Sequence, residues 1–222
     1  MILRDIVLGF TDDDFENRAI LPFEPTAVEE VMIAFSRRRK IYNADIGKVI
    51  VTAKEGDFVP SISSVMLNVC IVDIPVKMAV LRSLPPCSIE RMRWFADLLF
   101  TGLSTFAARY GVDQAVILEM RNECERAQYR HQGKLASRFW SPSRTKLAKV
   151  RYEYVCNQLH AFVDVDFKQS GEKQTFHAGT IHQAQGGMHS YFKNAKWLSE
   201  EEFEVCEGDR IVPRIAVVIG KE

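Results

Sequence analysis

Hydrophobic and polar positions alternate most cleanly between residues 146 and 182, where three consecutive antiparallel strands are predicted. Over Lys149–Cys156, Val150, Tyr152, Tyr154 and Cys156 alternate with Lys149, Arg151, Glu153 and Val155, the period of two that marks a half-buried strand. Asn157-Gln158 is the expected turn. Over His160–Lys168, Ala161, Val163, Val165 and Phe167 fall on one face, and His160, Phe162, Asp164, Asp166 and Lys168 on the other. Ser170-Gly171-Glu172-Lys173 then turns the chain into a third strand, Gln174–Ile181.

Upstream the period changes. Residues 2–10 read as an opening strand, closed by the acidic turn Thr11-Asp12-Asp13-Asp14. Thr26 and Glu29 have the spacing of a capping box, which predicts a helix to about Lys40 with Val28, Val31, Met32 and Phe35 inward. Lys48–Ala53 and Val65–Ile74 are β-rich. The second is apolar on both faces and reads as a central strand. Residues 75–87 are bounded by prolines and carry no assignable period. Ser88 caps the longest predicted helix, which runs to about Tyr110 and stops at Gly111. Asp113 caps another, to about His131. A short helix capped at Ser199 and a closing strand over Ile211–Ile219 complete the pattern. Together these predict an α+β fold of one domain, 1–222, with a mixed, largely antiparallel sheet and two or three helices packed mainly on one face.

Composition supports a folded core, since 47% of residues are hydrophobic and the chain has 14 Phe, 6 Tyr and 3 Trp. No Gly/Ser or Pro-rich linker interrupts it. Five widely spaced cysteines, with no Cys-x-x-Cys, predict reduced, buried thiols rather than a disulfide framework or a zinc ribbon. Asp5 interrupts the short apolar run at the amino terminus, so no signal peptide is expected. No membrane span and a cytoplasmic location are expected as well.

Charge is balanced, 29 basic against 29 acidic residues, which argues against a general nucleic-acid binder. It is unevenly distributed. Residues 1–30 hold two Arg against eight acids, a net of −6; residues 121–151 hold nine Lys/Arg against two Glu, a net of +7; residues 200–209 hold six acids and no Lys, Arg or His. Such blocks suit a charged partner. The expectation is a non-enzymatic protein-binding module without a cofactor, of the immunity-protein or antitoxin kind. Asp12, Asp13, Asp14 and Glu200, Glu201, Glu202 would cover a basic toxin or nuclease as its inhibitor.

Two other chemistries are written in the residues. Asp166-Phe167-Lys168 with an upstream acid is similar to the D…(D/E)-x-K pattern of restriction-endonuclease-like folds. That resemblance implies a metal-dependent nuclease or phosphodiesterase using Glu153, Asp164, Asp166 and Lys168, the acids holding a divalent metal and the lysine stabilising phosphate charge. Alternatively, Arg130, Lys134, Arg138, Trp140 and Arg144 interleave bases with an aromatic ring and would grip a nucleic-acid backbone. All five histidines fall after residue 130. His177, His182 and His189 are weak metal candidates, because positions five apart on a strand face opposite ways unless the strand ends between them. No phosphate-binding glycine loop, nucleophile elbow or kinase signature is present.

Overall fold

A computed structural model describes residues 3–11, 24–41, 45–182, 189–206 and 214–219. The architecture is α+β, and the chain divides into two compact units, 1–131 and 132–222.

In the first unit the elements run β1 (Asp5–Thr11), α1 (Thr26–Arg39), β2 (Lys48–Glu55), β3 (Ser61–Met66), β4 (Val69–Val76), α2 (Met78–Ser83), α3 (Ile89–Tyr110) and α4 (Gln114–Arg126). The strands order β1-β2-β4-β3, with β1, β2 and β4 parallel and β3 antiparallel at the edge. Period-two burial explains why these strands stack on helices. Ile6 and Leu8, Val49 and Val51, Cys70 and Val72 are all at most 2% exposed. Phe10 continues that face of β1 and meets Trp94 and Phe95 of α3 at ring distances of 6.3 and 6.0 Å. At Gly102, α3 approaches β2 so closely that a Cβ would overlap the Val51 side chain. Outside this layer, α4 is tied to α1 by Arg38–Glu123 and Arg39–Glu119, each at 2.6 Å.

The caps show which sequence signals worked. Ser88 Oγ accepts from Arg91 N, Asp113 Oδ1 accepts from Ala115 N, and Gly111 closes α3 at φ 68°. The Thr26–Glu29 capping box does not form. Pro25 occupies the cap position of α1 with no side-chain hydrogen bond, and Glu29 instead accepts the amide of Leu8 in β1. Helix α4 ends at Arg126, short of His131, because Gln128 and Tyr129 take positive φ of 50° and 56°. The expected single strand over Val65–Ile74 is a hairpin, turned at Leu67-Asn68, with β4 interior and β3 outermost. Residues 78–83, in the stretch without a readable period, form α2.

The second unit is built from two antiparallel sheets. The larger contains β5 (Arg130–Lys134), β6 (Phe139–Trp140), β7 (Lys146–Val155), β8 (Gln158–Phe167) and β9 (Lys173–His182). The smaller contains β10 (Lys196–Trp197), β11 (Glu202–Cys206) and β12 (Ile215–Val218), after the short α5 (His189–Phe192). The β7–β8–β9 meander appears where alternation placed it. Its first turn is Cys156-Asn157, one residue earlier than expected, with Cys156 at φ 56°. The sheets meet through Phe139, Trp197 and Phe203: the Trp197 indole donates to the Phe139 carbonyl at 3.0 Å, and both rings meet Phe203 edge-on. Ser199 caps no helix; its hydroxyl accepts the amides of Glu201 and Glu202 at the entry to β11.

Cys70, Cys124 and Cys206 are free and buried, as expected, and burial pushes the Cys124 thiol up to about 12. Cys87 and Cys156 depart from that expectation: each carries a disulfide bond. Among the described residues no helix is long and apolar enough to cross a membrane.

Candidate functional site

The β7–β8–β9 register decides what the polar face can do. Lys149 lies opposite Asp164, Arg151 opposite Phe162, and Glu153 opposite His160. Ala161, Val163 and Val165 are fully buried on the other face, so Asp164, Asp166 and their neighbours turn outward together. Each acid meets a cation diagonally across the ladder. Asp166 Oδ2 lies 3.0 Å from Lys149 Nζ and 3.7 Å from Lys168 Nζ. The Lys149 hydrogen bond, helped by the charges of Lys149, Lys168 and Lys173, holds the Asp166 carboxyl below its ordinary range despite desolvation. Asp164 Oδ2 takes Arg151 Nε at 2.6 Å, and its Oδ1 accepts the Thr175 hydroxyl at 2.8 Å.

Glu153 is not brought to these acids. It accepts from Gln132 at 3.1 Å and sits opposite His160, which precedes Asp164 by four positions and Asp166 by six. At about 3.3 Å per residue those offsets are about 13 and 20 Å, far beyond the span of a shared cation. Among the described residues no three His, Cys, Asp or Glu side chains are grouped to hold a metal ion.

A feature the alternation did not announce lies further along the same face. Arg151 rests its guanidinium 5.2 Å from the Phe162 ring centre, and His177 meets that ring at 5.2 Å and His160 at 5.9 Å. His160 Nδ1 shares a hydrogen bond with the Thr180 hydroxyl at 2.9 Å. Strand β9 does not end between His177 and His182. Its register slips between Ala161 and Phe162, so His177 pairs with Phe162 and position 182 with Gln158. The side chains of His182 and His189 lie outside the described residues.

Arg130, Lys134, Arg138, Trp140 and Arg144 are all exposed. Strand β6 shows why only one of its two aromatics faces outward. Phe139 packs on Phe203, whereas Trp140 is 48% exposed with Lys168 Nζ 5.7 Å from its ring.

The acidic candidates divide. Asp12, Asp13 and Asp14 lie outside the described residues. Glu200 is committed within its own unit: its Oε2 accepts the Ser143 hydroxyl at 2.9 Å, and its carbonyl accepts Lys146 Nζ at 2.7 Å. Desolvation raises this carboxyl, but the Ser143 amide and hydroxyl outweigh it and bring the group below its ordinary range. Glu202 pairs with Arg214 at 3.2 Å. Glu201 is exposed. Buried Glu204 is held below the ordinary range chiefly by its hydrogen bond from Arg214 Nε at 2.6 Å.

The arrangement is thus a stiff sheet face of alternating fixed charges, bordered by an exposed tryptophan among bases. No protein-family model, curated protein or solved structure matches this chain.

Proposed function

We propose that this chain is a non-enzymatic protein-binding module that works by charge and shape complementarity, and that its partner is a basic toxin or nuclease that it neutralises. The observation that carries the reading is the ladder of cross-strand pairs. Lys149–Asp166 and Arg151–Asp164 commit the acids of the β8 face to neighbouring cations, giving a patterned surface rather than a set of metal ligands. A partner face with the opposite pattern is selected by such a surface, and mismatched ones are rejected by like charges. The acids Asp12, Asp13 and Asp14 and the exposed Glu201 supply the attraction for a basic partner.

The test uses the tagged chain in lysate of its own cells, eluted with rising salt, beside a variant carrying Asp12→Asn, Asp13→Asn, Asp14→Asn and Glu201→Gln. Glu200 and Glu202 are left intact because they hold Ser143 and Arg214. One stoichiometric basic protein, released by moderate salt and lost from the variant, is the expected result. Unchanged capture and unchanged salt dependence would sink the reading.

The exposure of Trp140 among Lys134, Arg138, Arg144 and Lys168 favours a second reading, nucleic-acid binding through residues 130–151. It predicts Trp140 fluorescence quenching by single-stranded oligonucleotide, with affinity falling steeply as salt rises. A flat salt response removes it.

A further inference from the structure

The two edges of the first sheet are treated differently by the sequence. At the β1 edge, the Glu29 carboxyl group of α1 accepts the outward amide of Leu8 at 2.7 Å, and Glu30 lies within electrostatic reach of Asp5. Charge and a filled amide are the ordinary means by which an edge is kept from pairing with another chain. The β3 edge has neither. From Phe58 to Val72 the chain runs fifteen residues without a charged side chain, between Asp57 and Asp73, although 26% of all residues are charged. No described strand pairs with the outer side of β3.

The tip of the β3–β4 hairpin adds an independent observation. Val65 is 47% exposed, Met66 69% and Leu67 98%. Leu67 also holds φ at 54°, in the left-handed region, where a branched apolar residue costs about 1–2 kcal/mol. Neither burial within its unit nor backbone preference accounts for leucine there. Glycine or asparagine is the usual occupant of such a turn position.

We infer that a second copy of this chain pairs on this edge, β3 against β3 in antiparallel sense about a two-fold axis, joining two four-stranded sheets into one, with Val65, Met66 and Leu67 as the apolar contact. In a two-fold contact residue i meets residue j and j meets i, so the residue on the axis faces its own copy and a charge there would face itself. A charge-free edge is self-complementary in that respect, and this argues for a second copy over a charged partner. The hairpin register supports Val65 as the centre. Met66 pairs with Val69 across the two-residue turn and Ser64 with Ile71, which leaves the Val65 amide and carbonyl directed away from β4. The register break between Ile62 and Ser64 confines pairing to the stretch after it, so the contact is short and the dimer weak. This inference stands independently of the protein-binding reading above.

Sedimentation velocity of the full chain from low micromolar to near-millimolar concentration tests it. The wild type is expected to move from the 25.4 kDa monomer toward twice that mass. Val65→Lys, at an exposed position, is expected to stay monomeric with an unchanged circular dichroism spectrum. Leu67→Gly is the second variant: relief of the positive φ raises the melting temperature, while loss of the side chain weakens the dimer about tenfold. A wild type that stays monomeric throughout overturns the inference. So does a Val65→Lys protein that still dimerises, or open-ended polymers in place of a dimer. A monomer that co-sediments with neutral phosphatidylcholine vesicles through Leu67 would assign the tip to lipid and overturn it too.

Discussion

Glu29 accepts the backbone amide of Leu8 at 2.7 Å, across 21 positions of sequence, and this bond joins helix α1 to the edge of its sheet. Desolvation raises the carboxyl to about 8; the Leu8 hydrogen bond opposes the rise, Glu30 adds to it and Lys48 opposes it. In the unfolded chain the same group ionises near 4.5. Between these values the folded state holds a proton that the unfolded state has lost, so stability falls as pH rises through the window and levels off above it. The slope is up to about 1.4 kcal/mol per pH unit. Urea unfolding at a series of pH values should show this decline. Glu29→Gln keeps an acceptor for Leu8 and should flatten it.

His131 works in the opposite sense. Burial, with Arg38 and Arg37 facing it, lowers its pKa from 6.5 to about 4. Between those values the unfolded chain binds the extra proton, so this contribution is complete above pH 6.5 and is lost as pH falls toward 4. From about 4.5 to 6.5 the Glu29 and His131 slopes oppose one another, and above 6.5 only Glu29 slopes. His131→Gln should therefore tilt the acid limb, from nearly level to falling with pH between about 4.5 and 6.5, and leave the limb above pH 6.5 unchanged. An unaltered acid limb would show that His131 does not carry it.

Gly102 sits where α3 crosses β2. Gly102→Ala places its methyl group against Val51 and should cost about 1–3 kcal/mol in urea unfolding. Val51→Ala opens the space, so the double variant should lose less than the sum of the two single losses. Strict additivity would mean that the helix shifts rather than presses on Val51.

Asp166 provides the check on metal chemistry. With two lysines already on its Oδ2, Asp166→Ala should leave manganese binding unchanged in a calorimetric titration. Its effect on stability should be within about 1 kcal/mol, because the Lys149 and Lys168 side chains are 39% and 43% exposed and solvent screens the pairs. Loss of a manganese site in this variant would restore the nuclease reading.

Legibility followed physical cause. Strand β8 and helix α3 were readable because burial alone shapes them: alternation marks the one, and a 3.6-residue stripe between Ser88 and Gly111 the other. The hairpin inside Val65–Ile74 was hidden because its turn places leucine at a positive φ, and an apolar residue carries no turn signal. The Thr26–Glu29 spacing misled because Glu29 has a tertiary partner in Leu8, which no local rule contains. On the polar face, periodicity placed Asp164, Asp166 and Lys168 together. It was silent on Lys149 and Arg151 reaching diagonally to those acids, because that depends on register between strands. The acidic run from Glu200 reads as a partner-binding block by charge alone, yet Phe203 and Val205 are fully buried and Glu202 and Glu204 lie within β11.

The contrast between the two sheets has a kinetic consequence. In the second unit, β7, β8 and β9 are consecutive, and the first two are joined by the two-residue turn Cys156-Asn157. Every ladder of that meander closes a short loop. In the first unit, β1 must find β2 across the whole of α1, and β2 must find β4 across β3, before α3 seals them at Gly102. Contact order makes the local meander the faster to form and the parallel sheet the slower. The amino-terminal half is synthesised first and completed last.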